Sequence, residues 1–164
     1  MFVIARVQKK PPFSRLEEDK MVDSNYAGQQ QVQADLSRFA DLIAPLKRDK
    51  QEWEASFTEE EKQKGAEFEE SLKSDPEALM AFMGEVDAAF NDADANKDSR
   101  LDHDEFKAFV VQMNANGVAR GLKNRDTTDE FINTVYPCFN GFNPDQEGVS
   151  KQEILYMLNL INQE

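Results

Sequence analysis

Apolar residues recur at steps of three and four positions along most of this chain, which is the spacing of amphipathic helices. The first apolar stripe lies within residues 29–57, and Pro45 is expected to kink or end its helix. The members of this stripe are Val32, Leu36, Phe39, Leu42, Ile43 and Leu46. No segment has the pattern of a strand longer than a few residues, so the predicted fold class is all-α.

Capping residues mark two helix starts. Thr58 is followed three positions later by Glu61, a spacing that lets each side chain bond to the backbone of the other residue. This helix is expected to reach about Leu72. The run Ser74-Asp75-Pro76-Glu77 places a capping residue ahead of a first-turn proline, which is typical of a helix N-terminus. The apolar face of this next helix consists of Leu79, Phe82, Met83, Val86, Ala89 and Phe90.

Three more helices are predicted in the second half of the chain. After the acidic stretch 91–105, apolar residues at helical spacing continue until Gly117, which is expected to end that helix. A polar connector, 118–126, leads into a helix that begins near residues 126–128, with Pro137 weakening its last turn. A loop over 140–150 then precedes the final helix, whose apolar residues are Ile154, Leu155, Leu158 and Ile161.

Charge and composition narrow the function classes. The formal net charge is −13, which disfavours binding to nucleic acid and favours a cation or a basic partner segment. No run approaches the ~20 apolar residues that span a bilayer, so no membrane span is expected. Because Cys138 is the single cysteine, an internal disulfide and a zinc site built from cysteines are both excluded. Cys138 and His103, the single histidine, form the only possible pair of a cysteine nucleophile with a histidine base. We therefore expect a cytoplasmic protein that is not an enzyme.

The acidic stretch carries oxygen atoms at the spacing that calcium binding requires. If Glu105 is the twelfth and last position of a loop, oxygen-bearing side chains fall at alternating positions, and Leu101 is the eighth. The predicted metal ligands are Asp94, Asn96, Asp98, the backbone carbonyl of Arg100, Asp102 and Glu105. A loop that starts at Asp92 would place His103 last, and calcium prefers oxygen ligands to imidazole.

The run Asp94-Ala-Asn-Lys-Asp-Ser-Arg-Leu-Asp-His-Asp-Glu105 resembles the calcium loop of the EF-hand family. Phe90, Phe106 and Phe109 are similar to the aromatic residues that pack EF-hand helices. The resemblance implies Ca²⁺ as the bound ion. Ser99 departs from the family pattern, which prefers glycine at this position for a turn with φ > 0. A residue other than glycine there costs on the order of 1 kcal/mol, which corresponds to roughly fivefold weaker binding.

EF-hands usually come in pairs whose loops meet in a short antiparallel contact, so the resemblance also predicts a second loop. A loop that starts at Asn143 is one residue short. A loop that starts at Phe142 has twelve residues, but it places Phe142 and Pro144 where ligands are needed. Both alternatives leave a degenerate loop. Its expected role is structural, with Val149 pairing against Leu101.

These observations predict three regions. Residues 1–28 are expected to be a flexible N-terminal tail, 29–73 a helical N-terminal region, and 74–164 an EF-hand pair with one good and one degenerate loop. The N-terminal helices show no acidic loop of the required spacing. We expect them to form a partner-binding or lobe-covering surface in place of a second calcium lobe.

The predicted function is a calcium-responsive binding module for a protein partner. The resemblance implies that calcium exposes an apolar groove for a partner helix. Candidate groove residues are Phe82, Met83, Val86, Phe109, Met113, Leu155 and Leu158, which equally fit a permanent core. The alternative is a constitutive subunit of a larger cytoskeletal or ciliary assembly, in which calcium holds one lobe in place.

Overall fold

The computed structural model describes the backbone of residues 25–162 and the side chains of residues 37–162. Residues 1–24 of the tail expected over 1–28 lie outside this range. The described chain forms α1 (Asn25–Ala55), α2 (Glu59–Ser74), α3 (Pro76–Ala93), α4 (His103–Ala119), α5 (Asp129–Asn140) and α6 (Lys151–Ile161). Within these residues the β pairing is limited to one bridge, Leu101 to Val149. The all-α prediction is confirmed.

The predicted capping residues begin their helices. The N–H of Glu61 donates to the Thr58 hydroxyl oxygen at 3.2 Å, and the N–H of Thr58 donates to the Glu61 carboxylate at 2.8 Å. Asp75 accepts the N–H of Glu77 at 2.9 Å, with Pro76 as the first residue of α3. These bonds satisfy N–H groups that have no partner inside the helix. The predicted starts of α2 and α3 are thus confirmed.

The prediction that Pro45 could end its helix is wrong, because α1 continues to Ala55. Proline inside a helix removes one backbone hydrogen bond and crowds the preceding turn, at a cost of about 3 kcal/mol. Burial on both sides of Pro45 offsets this cost. Leu42 and Ile43 pack against the core, and Leu46 is buried within it. Both halves of α1 therefore contact the same core. The helix also includes residues 25–28, which the sequence pattern placed in the tail.

The fourth helix does not end at Gly117 as predicted, but at Ala119. Gly117 is buried inside the helix, and its carbonyl accepts the N–H groups of Arg120 and Leu122, each at 3.0 Å. The residue with the left-handed conformation is Gly121, with φ of 81°. Glycine adopts this conformation without steric cost. The glycine that reverses the chain is therefore four positions later than expected.

One hydrophobic core connects all six helices. Helices α3 and α4 pack together, α2 packs on α3, and α1 packs on α5 and α6. The largest fully buried side chains are Val86, Leu101, Phe106, Ile132, Val135, Phe139, Val149, Ile154 and Met157. The two residues of the β bridge are therefore part of the core. None of the helices within residues 25–162 is both long and apolar enough to cross a membrane.

Helix α1 covers α5, α6 and the loop between them. Phe39 stacks on Phe142 with ring centroids 5.1 Å apart, and the Arg38 guanidinium donates to the carbonyl of Gly141 at 3.4 Å. Lys50 donates to the Asn162 side chain at 2.9 Å. These contacts agree with the lobe-covering role expected for the N-terminal helices.

Arg125 fastens the C-terminal part of α1 to the connector between α4 and α5. Its guanidinium lies between the rings of Trp53 and Phe131, 4.7 and 4.5 Å from their centroids, and pairs with Asp49. Burial lowers the pKa of Arg125, and the Asp49 carboxylate opposes that shift. Only 6% of this side chain is exposed. The ion pair and the two ring contacts therefore link α1 to the connector and to α5.

Candidate metal centre

The acidic loop joins α3 to α4, and a helix terminus holds each of its ends. The N–H of Asp94 donates to the Phe90 carbonyl at 2.9 Å, so the loop continues directly from the last turn of α3. Asp102 caps α4, and its carboxylate accepts the N–H groups of Asp104 and Glu105, each at 2.9 Å. The first candidate ligand therefore ends one helix, and the fifth begins the next.

The carboxylate of Asp94 organises the first half of the loop. It is only 5% exposed. One oxygen accepts the N–H of Asp98 at 3.1 Å, and the other accepts the N–H of Ser99 at 3.0 Å. Charge-assisted bonds of this type are stronger than neutral ones. They fold the loop back over its first residue.

Glu105 closes the loop from the other side. One of its carboxylate oxygens accepts the N–H groups of Ala95 and Asn96 at 3.0 and 3.3 Å, and the other accepts the N–H of Asp102 at 3.0 Å. Glu105 is 8% exposed although it lies in the first turn of α4. The side chain thus connects the beginning of the loop to the exiting helix.

The tip of the loop is a tight turn built on Asp98. Its N–H donates to the side-chain oxygen of Asn96 at 3.0 Å, and its carboxylate accepts the N–H of Arg100 at 2.9 Å. Lys97 and Ser99 have φ of 59° and 67°. The expectation that the position of Ser99 requires a positive φ is therefore confirmed, and this residue adopts it without being glycine.

The arrangement gathers oxygen donors but holds no preformed cage. Among the described side chains, no group of three or more histidine, cysteine, aspartate or glutamate residues is assembled in a way that could hold a metal ion. The carboxylates of the loop instead accept hydrogen bonds from its own backbone. Chemically, the donor set remains one of oxygen atoms without nitrogen or sulfur, which suits a hard cation such as Ca²⁺. Binding would require the side chains at the tip to turn toward the ion.

The second loop, between α5 and α6, meets the first through the predicted backbone bridge. The N–H of Leu101 donates to the Val149 carbonyl at 2.8 Å, and the reverse bond is 2.9 Å long. The residues that follow the bridge match in the two loops: Ser150 and Glu153 cap α6 in the same reciprocal way as Asp102 and Glu105 cap α4.

The residues that precede the bridge show where the second loop is shortened. In the first loop Arg100 separates the positive-φ residue Ser99 from Leu101. In the second loop the positive-φ residue is Gly148, with φ of 82°, and Val149 follows it directly. Counting from the bridge, Arg100 therefore has no counterpart in the second loop.

The side chain of Arg100 is the principal feature that the sequence did not predict. It was expected to contribute only its carbonyl, yet its guanidinium lies in the second loop. It donates to the carbonyls of Glu147 and Gly148 at 2.9 and 2.7 Å, and to the Gln146 side chain at 2.8 Å. It also pairs with the Glu153 carboxylate at 2.9 Å. The presence of an arginine at this position does not predict this contact, because its partners are 46 to 53 positions away and the contact depends on how the two loops pack.

The chain's single histidine and single cysteine are engaged in separate contacts. His103 bonds to Asn133 at 2.7 Å and to Asp104 at 3.2 Å. Both bonds raise the pKa of His103, and the bond to Asp104 contributes more than the bond to Asn133. The Cys138 thiol donates to the Thr134 carbonyl at 3.6 Å, and burial raises its pKa. A raised pKa is the opposite of what activates a cysteine nucleophile.

Most of the candidate groove residues are buried. Phe82, Val86, Phe109, Met113 and Leu158 belong to the core, while Met83 and Leu155 are partly exposed. Phe82 contacts Phe68 of α2 edge to face, with centroids 5.7 Å apart. The apolar stripe is therefore covered, in part by the N-terminal helices.

Comparison of this chain with protein-family models, with curated proteins and with solved structures finds no match.

Proposed function

We propose that this protein binds one calcium ion through residues 94–105 and acts as a calcium-responsive binding module for a partner protein. The observation that supports calcium binding best is the position of Glu105, whose carboxylate joins the start of the loop to the first turn of α4. An ion bound by Glu105 would therefore act directly on that helix. The ligands would be Asp94, Asn96, Asp98, the Arg100 carbonyl, Asp102 and Glu105.

Charge also supports this proposal. Four carboxylates belong to the donor set, and they would repel one another if they converged with no cation between them. A bound Ca²⁺ would offset that repulsion and tolerate the irregular oxygen shell that such a loop provides. Mg²⁺ requires a small octahedral shell, so it should compete poorly.

Thermal unfolding with and without calcium tests the proposal. A ligand that binds only the folded protein stabilises it by about 2.7 kcal/mol at a hundredfold excess over its dissociation constant. We expect this stabilisation with calcium, much less with magnesium, and at most about half of it in Glu105→Gln. Asp104→Asn is the matched control, because it removes an acidic charge next to Glu105 from a side chain that is 96% exposed. An equal response of Glu105→Gln and Asp104→Asn would contradict the ligand set.

A second candidate function is a constitutive structural subunit of a larger cytoskeletal or ciliary assembly. The observation that favours it is the coverage of the core by α1 and α2, which leaves the apolar stripe largely buried. Calcium would then stabilise the lobe without opening it.

Dye binding distinguishes the two functions. A responsive module should expose apolar surface when calcium is added, so the fluorescence of a hydrophobic dye should rise. A structural subunit should bind calcium and gain stability with no rise in dye fluorescence. Both measurements use the intact chain at the same calcium concentration.

A further inference from the structure

We propose that the guanidinium of Arg100 serves as the permanent cation of the second loop, where it takes the place that a metal ion has in a working loop. The proposal goes beyond the calcium-binding function proposed above, because it concerns the second loop, although Arg100 also belongs to the calcium loop through its carbonyl. It assigns the second loop a closed conformation that needs no metal.

The hydrogen bonds of Arg100 support this assignment. Its Nε, Nη1 and Nη2 atoms all donate to the second loop, and the acceptors are all oxygen atoms. Two are backbone carbonyls, one is the amide oxygen of Gln146, and one is the Glu153 carboxylate. Carbonyl, amide and carboxylate oxygens are also the donor types that surround calcium in proteins. A planar guanidinium with five N–H groups can satisfy several of them at once.

The Glu153 carboxylate is the charged partner in this set. It caps α6 and corresponds, by distance from the bridge, to Glu105 of the first loop. The Arg100 and Glu153 side chains are only 19% and 12% exposed. Breaking such a pair leaves the remaining charge without compensation. The shortening of the second loop fits this role, because the position that the second loop lacks is the one that corresponds to Arg100 in the first loop.

The position of Arg100 has a consequence for the pair of loops. The next residue, Leu101, forms both bridge bonds with Val149, so the cation of the second loop is attached to the backbone of the first. The bridge should therefore be formed before calcium binds. Calcium then acts on a single loop, and its binding should show no cooperativity.

Hydrogen exchange in the presence of a chelator tests the proposal on the intact protein. The amide of Val149 donates within the bridge, so its exchange rate reports whether the two loops are held together. We expect Arg100→Gln to raise that rate by about tenfold or more. Arg100→Lys keeps the positive charge but not the planar guanidinium with its several N–H donors, and it should give an intermediate exchange rate. Lys97→Gln is the control, since it removes the same charge from the first loop, where Lys97 donates to Asn91.

An equal Val149 exchange rate in Arg100→Gln and Lys97→Gln would overturn the proposal. If Arg100→Gln does not fold, the comparison of Arg100→Lys with Lys97→Gln decides in the same way. Because the chelator removes calcium, the result is independent of the proposed function. A protein that binds no calcium but shows the expected exchange rates would contradict the proposed function and retain the role of Arg100.

Discussion

Replacing Ser99 by glycine should stabilise the protein before any calcium is added. Ser99 has φ of 67°, a conformation that costs a residue with a side chain about 1–2 kcal/mol. Glycine avoids this cost but gains more freedom in the unfolded chain, which offsets about 0.5–1 kcal/mol. The Ser99 side chain is exposed, and its N–H, which donates to Asp94, is retained in glycine. The expected net gain in the free energy of unfolding is about 0.5–1 kcal/mol.

Urea denaturation of wild type, Ser99→Gly and Ser99→Ala in a chelator measures this gain. Ser99→Ala is the control, because it removes the hydroxyl and keeps the steric cost. The hydrogen bonds that impose the conformation come from the chain itself, so we expect the strain in the calcium-free protein as well. Calcium affinity should then rise by less than the roughly fivefold change expected if the strain arose only on binding. Equal stability of Ser99→Gly and Ser99→Ala would refute this account.

Four further predictions concern the scaffold and the N-terminal region. Arg125→Met should lower the free energy of unfolding by about 2–3 kcal/mol, because it removes the ion pair with Asp49 and two stacking contacts; urea denaturation followed by the fluorescence of the single tryptophan would show it. Gly141→Ala should destabilise by about 1–3 kcal/mol, since a Cβ there would lie 2.9 Å from the Pro137 carbonyl oxygen. In Gly84→Ala the added Cβ would meet nothing within 4 Å, so this change should instead stabilise α3 by about 0.5–1 kcal/mol. If urea denaturation shows Gly141→Ala to be more stable than Gly84→Ala, both predictions are contradicted. A fragment of residues 1–73 should bind no calcium at micromolar concentration in calorimetry.

The features that sequence reasoning predicted well are local ones. The reciprocal bonds of Thr58 and Glu61, and the cap at Asp75, depend on residues two or three positions apart. The positive φ at Ser99 was predicted by the resemblance to the EF-hand loop, and the turn that requires it involves only residues nearby in the chain. The bridge between Leu101 and Val149 is distant in sequence, but the resemblance to a paired loop predicted it.

The features that it missed depend on packing between distant segments. Pro45 is tolerated because residues on both sides of it reach the same core, which no local pattern indicates. The carbonyl of Arg100 was expected in the first loop, but the destination of its side chain depends on how closely the second loop approaches. Arg125 lies in a polar connector, and only the fold brings Asp49 and Trp53 beside it.

A calorimetric titration of the intact chain with calcium measures both the number of bound ions and their affinity. We expect one calcium ion per chain and a single, non-cooperative transition. In Glu105→Gln the affinity should fall by about tenfold or more, because a charged ligand is lost, whereas Asp104→Asn should change it little. A stoichiometry of zero or two, or an unchanged affinity in Glu105→Gln, would contradict the assignment of the calcium site to residues 94–105.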